Sequence, residues 1–133
     1  MKVTAIIEQG EDNTFDVTLS DDRLGFMLLG QGATVEEAKA DFQICNEDMK
    51  ALYTDEGKVY PDLDIIYKYD LVSFLAYYST TLGYSSLEKI TGVNQRQLSQ
   101  YLQGYRNPSA KTTKKIESGI KAFAEELSQV QFV

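Results

Sequence analysis

Four polar residues recur at spacings that would place them on one side of a helix. Gln95, Arg96, Ser99 and Gln100 lie one, three and four residues apart, so a helix presents them together. A glutamine amide can pair bidentately with adenine, and an arginine guanidinium with guanine, in the major groove of DNA. We therefore predict that these four residues contact base edges. A merely solvated polar face is the alternative, and the surrounding residues favour the DNA contact.

A second group of polar and basic residues flanks this segment. Asn94 precedes it, and Arg106, Asn107 and Lys111 follow it. Helix N-termini and nearby cations are the groups with which proteins hold DNA phosphates. We predict phosphate contacts from these four residues, whereas the two lysines at 114–115 are equally consistent with plain exposure to solvent.

Local signals predict two short helices joined by a tight turn, which would position these residues. Ser85 and Glu88 form the S-x-x-E pattern of a capping box, and Asn94 and Gln97 repeat an N-cap and N3 arrangement for the next helix. Between the two helices, Gly92 provides a residue that tolerates a positive φ angle. The apolar residues of the inward face are Leu87, Ile90, Val93, Leu98, Tyr101 and Leu102.

The order of these residues resembles the helix-turn-helix of phage Cro-type and XRE-type repressors. The resemblance covers about half the chain, and it departs from the family at two positions. Asn94 stands where Ser or Thr is commoner, and Leu102 stands where a polar residue is usual. The resemblance implies that this part of the chain binds double-stranded operator DNA. The residues that carry it are Leu87, Ile90, Gly92, Val93, Leu98, Tyr101, Gly104, Asn107, Pro108, Ser109 and Ile116.

The residue inventory excludes most catalytic chemistry. The 133 residues include no histidine and one cysteine, Cys45, so imidazole-dependent hydrolysis and the usual zinc sites are closed. The acidic residues lie mainly in turns and at strand ends, where Asp is common for local hydrogen-bonding reasons, and we therefore reject a metal-dependent nuclease. We predict no catalytic residue, no metal and no cofactor, and we assign Cys45 to the core.

The first residues also bear on where the protein works. The start of the chain, MKVTAIIEQGED, lacks the basic region, long apolar core and cleavage site of a signal peptide. No stretch approaches about 18 uninterrupted apolar residues. We expect a cytoplasmic protein that has no membrane contact.

Charge is distributed unevenly between the two halves of the chain. Residues 1–70 contain 6 Lys and Arg against 16 Asp and Glu, a balance of −10, whereas residues 71–133 contain 7 against 4, a balance of +3. A basic half can neutralise phosphates, and an acidic half suits a basic protein partner. On charge alone, an acidic surface that only maintains solubility is the simpler explanation for the first half.

Hydrophobic periodicity predicts a small sheet in the acidic half. Apolar residues alternate over residues 2–9 and again over 15–19, on either side of a turn-like segment, which predicts a β-hairpin. Residues 25–29 are more continuously apolar and predict a third strand at the centre of the sheet. A fourth strand is predicted at 64–69, after a loop that contains a proline.

One long helix is predicted to cover this sheet. Thr34 and Glu37 form a capping box at its start. Apolar residues then recur at steps of three and four, which indicates one buried face. The residues of that face are Val35, Ala38, Phe42, Cys45, Met49 and Leu52.

This β-β-β-α-β order resembles the HicB antitoxin family. That family has a small antiparallel sheet, similar to part of a ribonuclease H sheet, with one helix laid on it. The resemblance covers residues 1–70 and includes the stretch GATVEEA at 32–38 that leads into the helix. It departs from the family at 20–25, where SDDRLG replaces a Pro-Asp-Leu-Pro-Gly-type segment. The resemblance implies that this half binds a small basic toxin protein of the HicA type.

Two further capping residues complete the helical half. Asp70 is predicted to cap a helix whose apolar stripe ends at Gly83, and Ser109 is predicted to cap a long final helix. No flexible linker separates the halves. We therefore predict an α+β protein in which a HicB-like module at 1–70 is followed directly by an all-helical DNA-binding domain at 71–133.

Together the two resemblances imply an antitoxin of a type II toxin-antitoxin system that is not an enzyme. It would neutralise a ribonuclease toxin and repress its own operon as a homodimer or tetramer, because one recognition helix reads too few base pairs for an operator. The alternative is a stand-alone helix-turn-helix repressor whose first module binds a small ligand or another protein, and a third possibility is an orphan nuclease. Neighbouring genes distinguish the first two, because an antitoxin gene adjoins a short, basic reading frame.

Overall fold

Alternating apolar residues determine the buried face of the sheet. The computed structural model describes residues 1–133, which form two compact units, Met1–Ser73 and Phe74–Val133. It contains a four-stranded sheet and five helices, which confirms the α+β class. The elements are β1 (Lys2–Gln9), β2 (Phe15–Leu19), β3 (Leu28–Gly32), α1 (Val35–Asp55), β4 (Asp64–Tyr69), α2 (Leu71–Leu82), α3 (Tyr84–Thr91), α4 (Gln95–Leu102) and α5 (Ala110–Ser128).

The sheet is mixed, so the expectation of an antiparallel sheet is wrong. Its strand order is β3-β2-β1-β4. The pairs β1–β2 and β2–β3 are antiparallel, whereas β4 runs parallel to β1. Two antiparallel pairings make β3 run in the same direction as β1. Because the helical connection α1 returns the chain to the starting end of the sheet, β4 also runs in this direction.

One face of the sheet and one face of α1 form the core of the first unit. The buried side chains alternate along β1 and β2, as the periodicity predicts. The helix approaches so closely that a Cβ atom on Gly30 would lie 2.3 Å from the backbone nitrogen of Phe42 and 2.4 Å from the carbonyl oxygen of Ala38. The core residues are Val3, Ala5, Ile7, Phe15, Val17, Leu19, Leu28, Ala38 and Phe42.

The third strand begins later in the chain than predicted, and it occupies a different place in the sheet. It begins at Leu28 and lies at the edge of the sheet rather than at its centre. Phe26 lies outside the strand and packs against the edge of the core, where its ring stacks on Tyr60 at 5.2 Å and meets Tyr53 edge-on at 5.5 Å. The apolar run at 25–29 is therefore divided between these aromatic rings and the sheet, which periodicity alone does not distinguish.

The predicted caps of the first unit are formed by local hydrogen bonds. The backbone nitrogen of Glu37 donates to Thr34 Oγ1 at 3.1 Å, and Glu37 Oε2 accepts from the backbone nitrogen of Ala33 at 2.9 Å. Asp70 accepts from the backbone nitrogen of Ser73 at 3.0 Å and caps α2. The predicted buried face of α1 is one residue too long, because Leu52 is 49% exposed.

An ion pair closes the turn between β2 and β3. Arg23 donates from Nε and Nη2 to the carboxylate of Asp21 at 2.9 and 2.7 Å, and Nη2 also donates to the carbonyl oxygen of Lys2 at 2.8 Å. These hydrogen bonds from Arg23 lower the pKa of Asp21 to about 2. The segment at 20–25, in which the sequence departs from the HicB pattern, is therefore bound to β1 by the hydrogen bond from Arg23 to Lys2.

We expect Gly30→Ala to destabilise the first unit by about 1–3 kcal/mol, because the new methyl group would force α1 away from the sheet. Hydrogen-exchange mass spectrometry would show faster exchange throughout β1, β2 and α1. Gly25→Ala is the matched control, because its Cβ would meet only the Tyr53 hydroxyl at an ordinary 3.7 Å. Equal protection in the two variants would contradict the close packing of helix on sheet.

Candidate nucleic-acid interface

The turn between α3 and α4 is closed by a glycine and a threonine. Gly92 has φ = 74°, and its backbone nitrogen donates to the carbonyl oxygen of Glu88 at 2.8 Å. Thr91 is buried, and its hydroxyl donates to Leu87 O at 2.7 Å while accepting from the backbone nitrogen of Val93 at 3.1 Å. The predicted turn is therefore confirmed, and its buried polar group is fully hydrogen-bonded.

The predicted capping box at Ser85 is wrong. Helix α3 begins at Tyr84, and its N-cap is Gly83, which contributes no side-chain hydrogen bond. Glu88 is consequently not needed at the start of α3. Its Oε1 instead accepts from the backbone nitrogen of Gln95, at the start of α4, at 3.2 Å. An Ser-x-x-Glu pattern could not show this, because the partner of Glu88 lies on the next helix.

The start of α4 is formed as predicted in one respect and differently in another. Asn94 Oδ1 accepts from the backbone nitrogen of Gln97 at 2.8 Å and caps the helix. The side chain of Gln97 does not return to the cap. Its Nε2 donates to the hydroxyl of Tyr101 at 2.6 Å. This bond gives the hydroxyl a partner in a residue that is only 2% exposed.

Helix α5 holds the α3–α4 pair through two contacts with α3. A Cβ atom on Gly119 would lie 2.3 Å from Ile90 O and 2.9 Å from Thr91 Cα, so the two helices touch backbone to backbone. Lys115 Nζ donates to Gly92 O at 3.2 Å, at the carbonyl end of α3, where a cation is favoured by the helix dipole. Lys115 therefore has a structural contact at the turn, which the sequence did not reveal.

The four predicted base-contacting residues lie along one side of α4. Gln95 and Arg96 are exposed, and Ser99 and Gln100 are half-buried. Ideal helix geometry spreads the four over an arc of roughly 140°. Gln103 falls within the same arc and is also exposed. The opposite side of α4 buries Leu98 and Tyr101.

The predicted phosphate-contacting residues are all exposed. Asn94, Arg106, Asn107 and Lys111 have exposed side chains, and neither cation among them forms an ion pair. Lys111 lies in the first turn of α5, as Arg96 does in that of α4, and neither turn contains an acidic residue. The positive end of a helix dipole opposes a cation there, so helix stability does not explain these two residues.

The second unit contains further exposed groups besides the eight predicted contact residues. Lys89 is exposed and forms no ion pair. Tyr105 is 78% exposed in the segment between α4 and α5. Between Asp70 and Glu117 the only acidic residue is Glu88. The unpaired cations of this unit are Lys89, Arg96, Arg106, Lys111 and Lys114.

A second candidate surface lies in the first unit, beside the edge strand β3. It is an open groove of about 310 Å³ between Leu29 and one flank of α1. Leu29 is 48% exposed and Ile44 is 60% exposed. Asp41 and Asp48 border the groove without forming ion pairs. The remaining lining residues are Cys45, Met49 and Leu52.

Comparison with known proteins found no match: no family model, no curated protein and no solved structure resembles the chain closely enough to be identified. No group of three or more His, Cys, Asp or Glu side chains is arranged to hold a metal ion. None of the helices combines the length and the apolar character needed to cross a membrane.

We expect Gly119→Ala to destabilise the second unit, although Gly→Ala inside a helix is ordinarily stabilising by up to about 1 kcal/mol. The added methyl group would collide with the backbone of α3, and such overpacking costs about 1–3 kcal/mol. Faster hydrogen exchange across α3 and α4 would report the loss. Ser118→Ala is the control, because this neighbour is exposed. A Gly119→Ala protein as stable as the control would contradict the direct contact.

Proposed function

We propose that this chain is a sequence-specific DNA-binding protein that acts as a HicB-like antitoxin and represses its own operon. The observation that carries the proposal is the exposed polar side of α4 in a unit whose cations are mostly unpaired. Between residues 89 and 116 there are six Lys and Arg and no Asp or Glu. Unpaired surface cations at this density attract the phosphate backbone and steer a protein to DNA.

In this proposal α4 is the recognition helix and enters the major groove. Arg96 would pair with guanine, and Gln95 and Gln100 with adenine, with Ser99 as a weaker contact. Asn94 uses Oδ1 as the helix cap, which leaves its Nδ2 to donate to phosphate. Arg106, Asn107 and Lys111 would hold the backbone on the other side of the helix.

The protein would bind its operator as a dimer or tetramer. A two-fold protein matches two half-sites roughly 34 Å apart. The end of α5 and the last residues offer an apolar contact surface, because Leu127 is 54% exposed, Val130 is 50% exposed and Phe132 is 93% exposed. A strictly monomeric mass in light scattering, with operator bound by one chain at a time, would refute this part of the proposal.

The antitoxin part rests on the first unit. Its mixed sheet carries one helix on one face; the single covering helix supports the proposal, whereas the parallel direction of β4 departs from the antiparallel sheet that the resemblance implies. Its balance of −10 over residues 1–70 favours a basic partner. The groove beside β3 combines exposed apolar side chains with the carboxylates of Asp41 and Asp48, neither of which forms an ion pair, although Asp41 Oδ2 accepts from the backbone nitrogen of Gln31 at 2.8 Å. A basic protein with an apolar anchor would complement both features. The alternative remains a stand-alone repressor.

We expect Arg96→Ala to weaken specific DNA binding by about 1–3 kcal/mol and to relax the preference at one base position, because a bidentate guanine contact would be lost. Lys111→Ala should weaken binding to all sequences alike and lower the salt slope by roughly one unit per half-site, because its target is a phosphate. Titrations of the full chain against the DNA upstream of its own gene, at several salt concentrations, measure both effects.

The two variants also control for each other. If α4 were only a solvated helix, neither substitution would change the affinity. If the docking were reversed, Arg96→Ala would produce the uniform loss and Lys111→Ala the sequence-dependent one. In either case Gln95, Arg96 and Gln100 would be removed as base-contacting residues.

For the antitoxin part, we expect the full chain to form a complex with the product of a short, basic reading frame next to its gene. Raising the salt from roughly 50 to 500 mM should slow association, because the attraction is electrostatic. Ile44→Ala should weaken the complex by removing an apolar anchor. Val59→Ala is the control, since Val59 is 92% exposed in the same unit and lies outside the groove.

Two results would count against the antitoxin. One is the absence of any such reading frame beside the gene, and the other is a product that does not bind the purified chain. Either result would leave the stand-alone repressor as the better description of the protein. Equal losses from Ile44→Ala and Val59→Ala would retain the partner but move its binding surface away from the groove.

A further inference from the structure

The carboxylate of Glu88 on α3 points at the first residue of α4. Its Oε1 accepts from the backbone nitrogen of Gln95 at 3.2 Å, and its Oε2 lies 3.5 Å from the side-chain Nε2 of the same residue. Glu88 forms no ion pair, although it is the only acidic residue between Asp70 and Glu117. Its hydrogen-bonding capacity is therefore directed to Gln95 rather than to the surrounding cations.

This contact favours one orientation of the Gln95 amide, the one in which its NH₂ group faces Glu88. Both oxygens of an ionised carboxylate are acceptors only, whereas a glutamine amide has a donor end and an acceptor end. Only the NH₂ end can face Glu88, because the opposite orientation would bring two acceptors together. Rotation about the last side-chain bond is otherwise broad and roughly two-fold, so an unrestrained glutamine can present either end.

We propose that Glu88 is a positioning residue that makes Gln95 select adenine. With one Nε2 hydrogen directed to Glu88, the remaining Nε2 hydrogen and Oε1 form an edge with fixed polarity. That edge matches the N7 acceptor and the N6 donor of adenine, whereas guanine presents two acceptors there and would repel Oε1. The inference rests on the proposed function, since it requires α4 to lie in the major groove.

The same carboxylate has an opposite effect on overall affinity. A negative charge at the start of the recognition helix repels the phosphate backbone of any DNA sequence. Glu88 would therefore reduce binding in general while sharpening the choice at one base. A purely structural role for Glu88, as a second cap on α4, would instead affect every base contact of the helix together, because they all depend on the position of α4.

Selection from a library of duplex DNA, randomised over about 20 base pairs, separates these roles. The wild-type chain should prefer adenine at one position of each half-site by about tenfold or more, the range of a good bidentate contact. Glu88→Ala should reduce that preference to about twofold and leave the guanine preference of Arg96 unchanged. Gln95→Ala should remove the same preference, and the double variant should lose nothing more at that position.

Glu88→Gln keeps the length of the side chain but has only one acceptor oxygen. With that oxygen on the backbone nitrogen of Gln95, the NH₂ group of the new side chain would face the Gln95 amide, so this variant should leave the adenine preference at about twofold or less, as Glu88→Ala does. Both Glu88 variants should bind all sequences more tightly at low salt, because a negative charge has been removed. Thermal unfolding monitored by circular dichroism verifies that both variants are folded.

The possible outcomes distinguish this inference from the proposed function. A Glu88→Ala protein that keeps the adenine preference, or that loses all base preferences together, overturns the positioning role. The same holds if Glu88→Gln keeps the full adenine preference, because a donor would then stand where the proposal requires an acceptor. If the wild-type chain selects no sequence at all, the proposed DNA-binding function fails and the inference fails with it.

Discussion

The direction of α4 depends on the left-handed backbone at Gly92 and on the groups that close the turn around it. A residue with a Cβ atom is strained at this φ angle, and Thr91 supplies the hydrogen bonds that a buried turn would otherwise lack. Lys115 adds a contact from α5 to the carbonyl of Gly92, and Gly119 permits the close approach of α5 to α3. The polar side of α4 is held in place by these contacts, none of which involves the polar residues themselves.

Because the contacts that hold α4 do not involve its polar residues, the exposed side of the second unit can carry charges that do not favour folding. Arg96 and Lys111 lie at helix ends where the dipole opposes a cation, and no acidic residue compensates for them there. Residues that contradict local stability rules are expected at functional sites, because the rest of the fold supplies the stability they lack. Glu88 is the one acidic residue in this basic region, and we propose that it is there to orient the side-chain amide of Gln95.

The first unit follows a different principle, because its sheet is covered by one helix. The backbone contact at Gly30 brings α1 against the sheet over one side only. One flank of α1 lies beside the edge strand, where Ile44 and Asp48 are exposed together. An acidic surface would repel DNA, which supports our proposal that the two units bind partners of opposite charge.

The sequence by itself determined the features that depend on neighbours in the chain. The alternation in β1 and β2, the caps at Thr34, Asp70 and Asn94, and the turn at Gly92 all follow from residues within four positions of one another, and the structure contains them. The exposure of Gln95 and Arg96 likewise follows from helical spacing, and the structure shows both side chains exposed.

Tertiary structure decided whatever depends on distant partners. The parallel direction of β4 follows from the path of α1 across the sheet, and the late start of β3 follows from the aromatic rings that hold Phe26. Glu88 matches a capping pattern on its own helix but bonds to the next one. Local patterns show which hydrogen bonds and apolar contacts a residue is able to make, and only the folded chain shows which of the competing partners comes within reach.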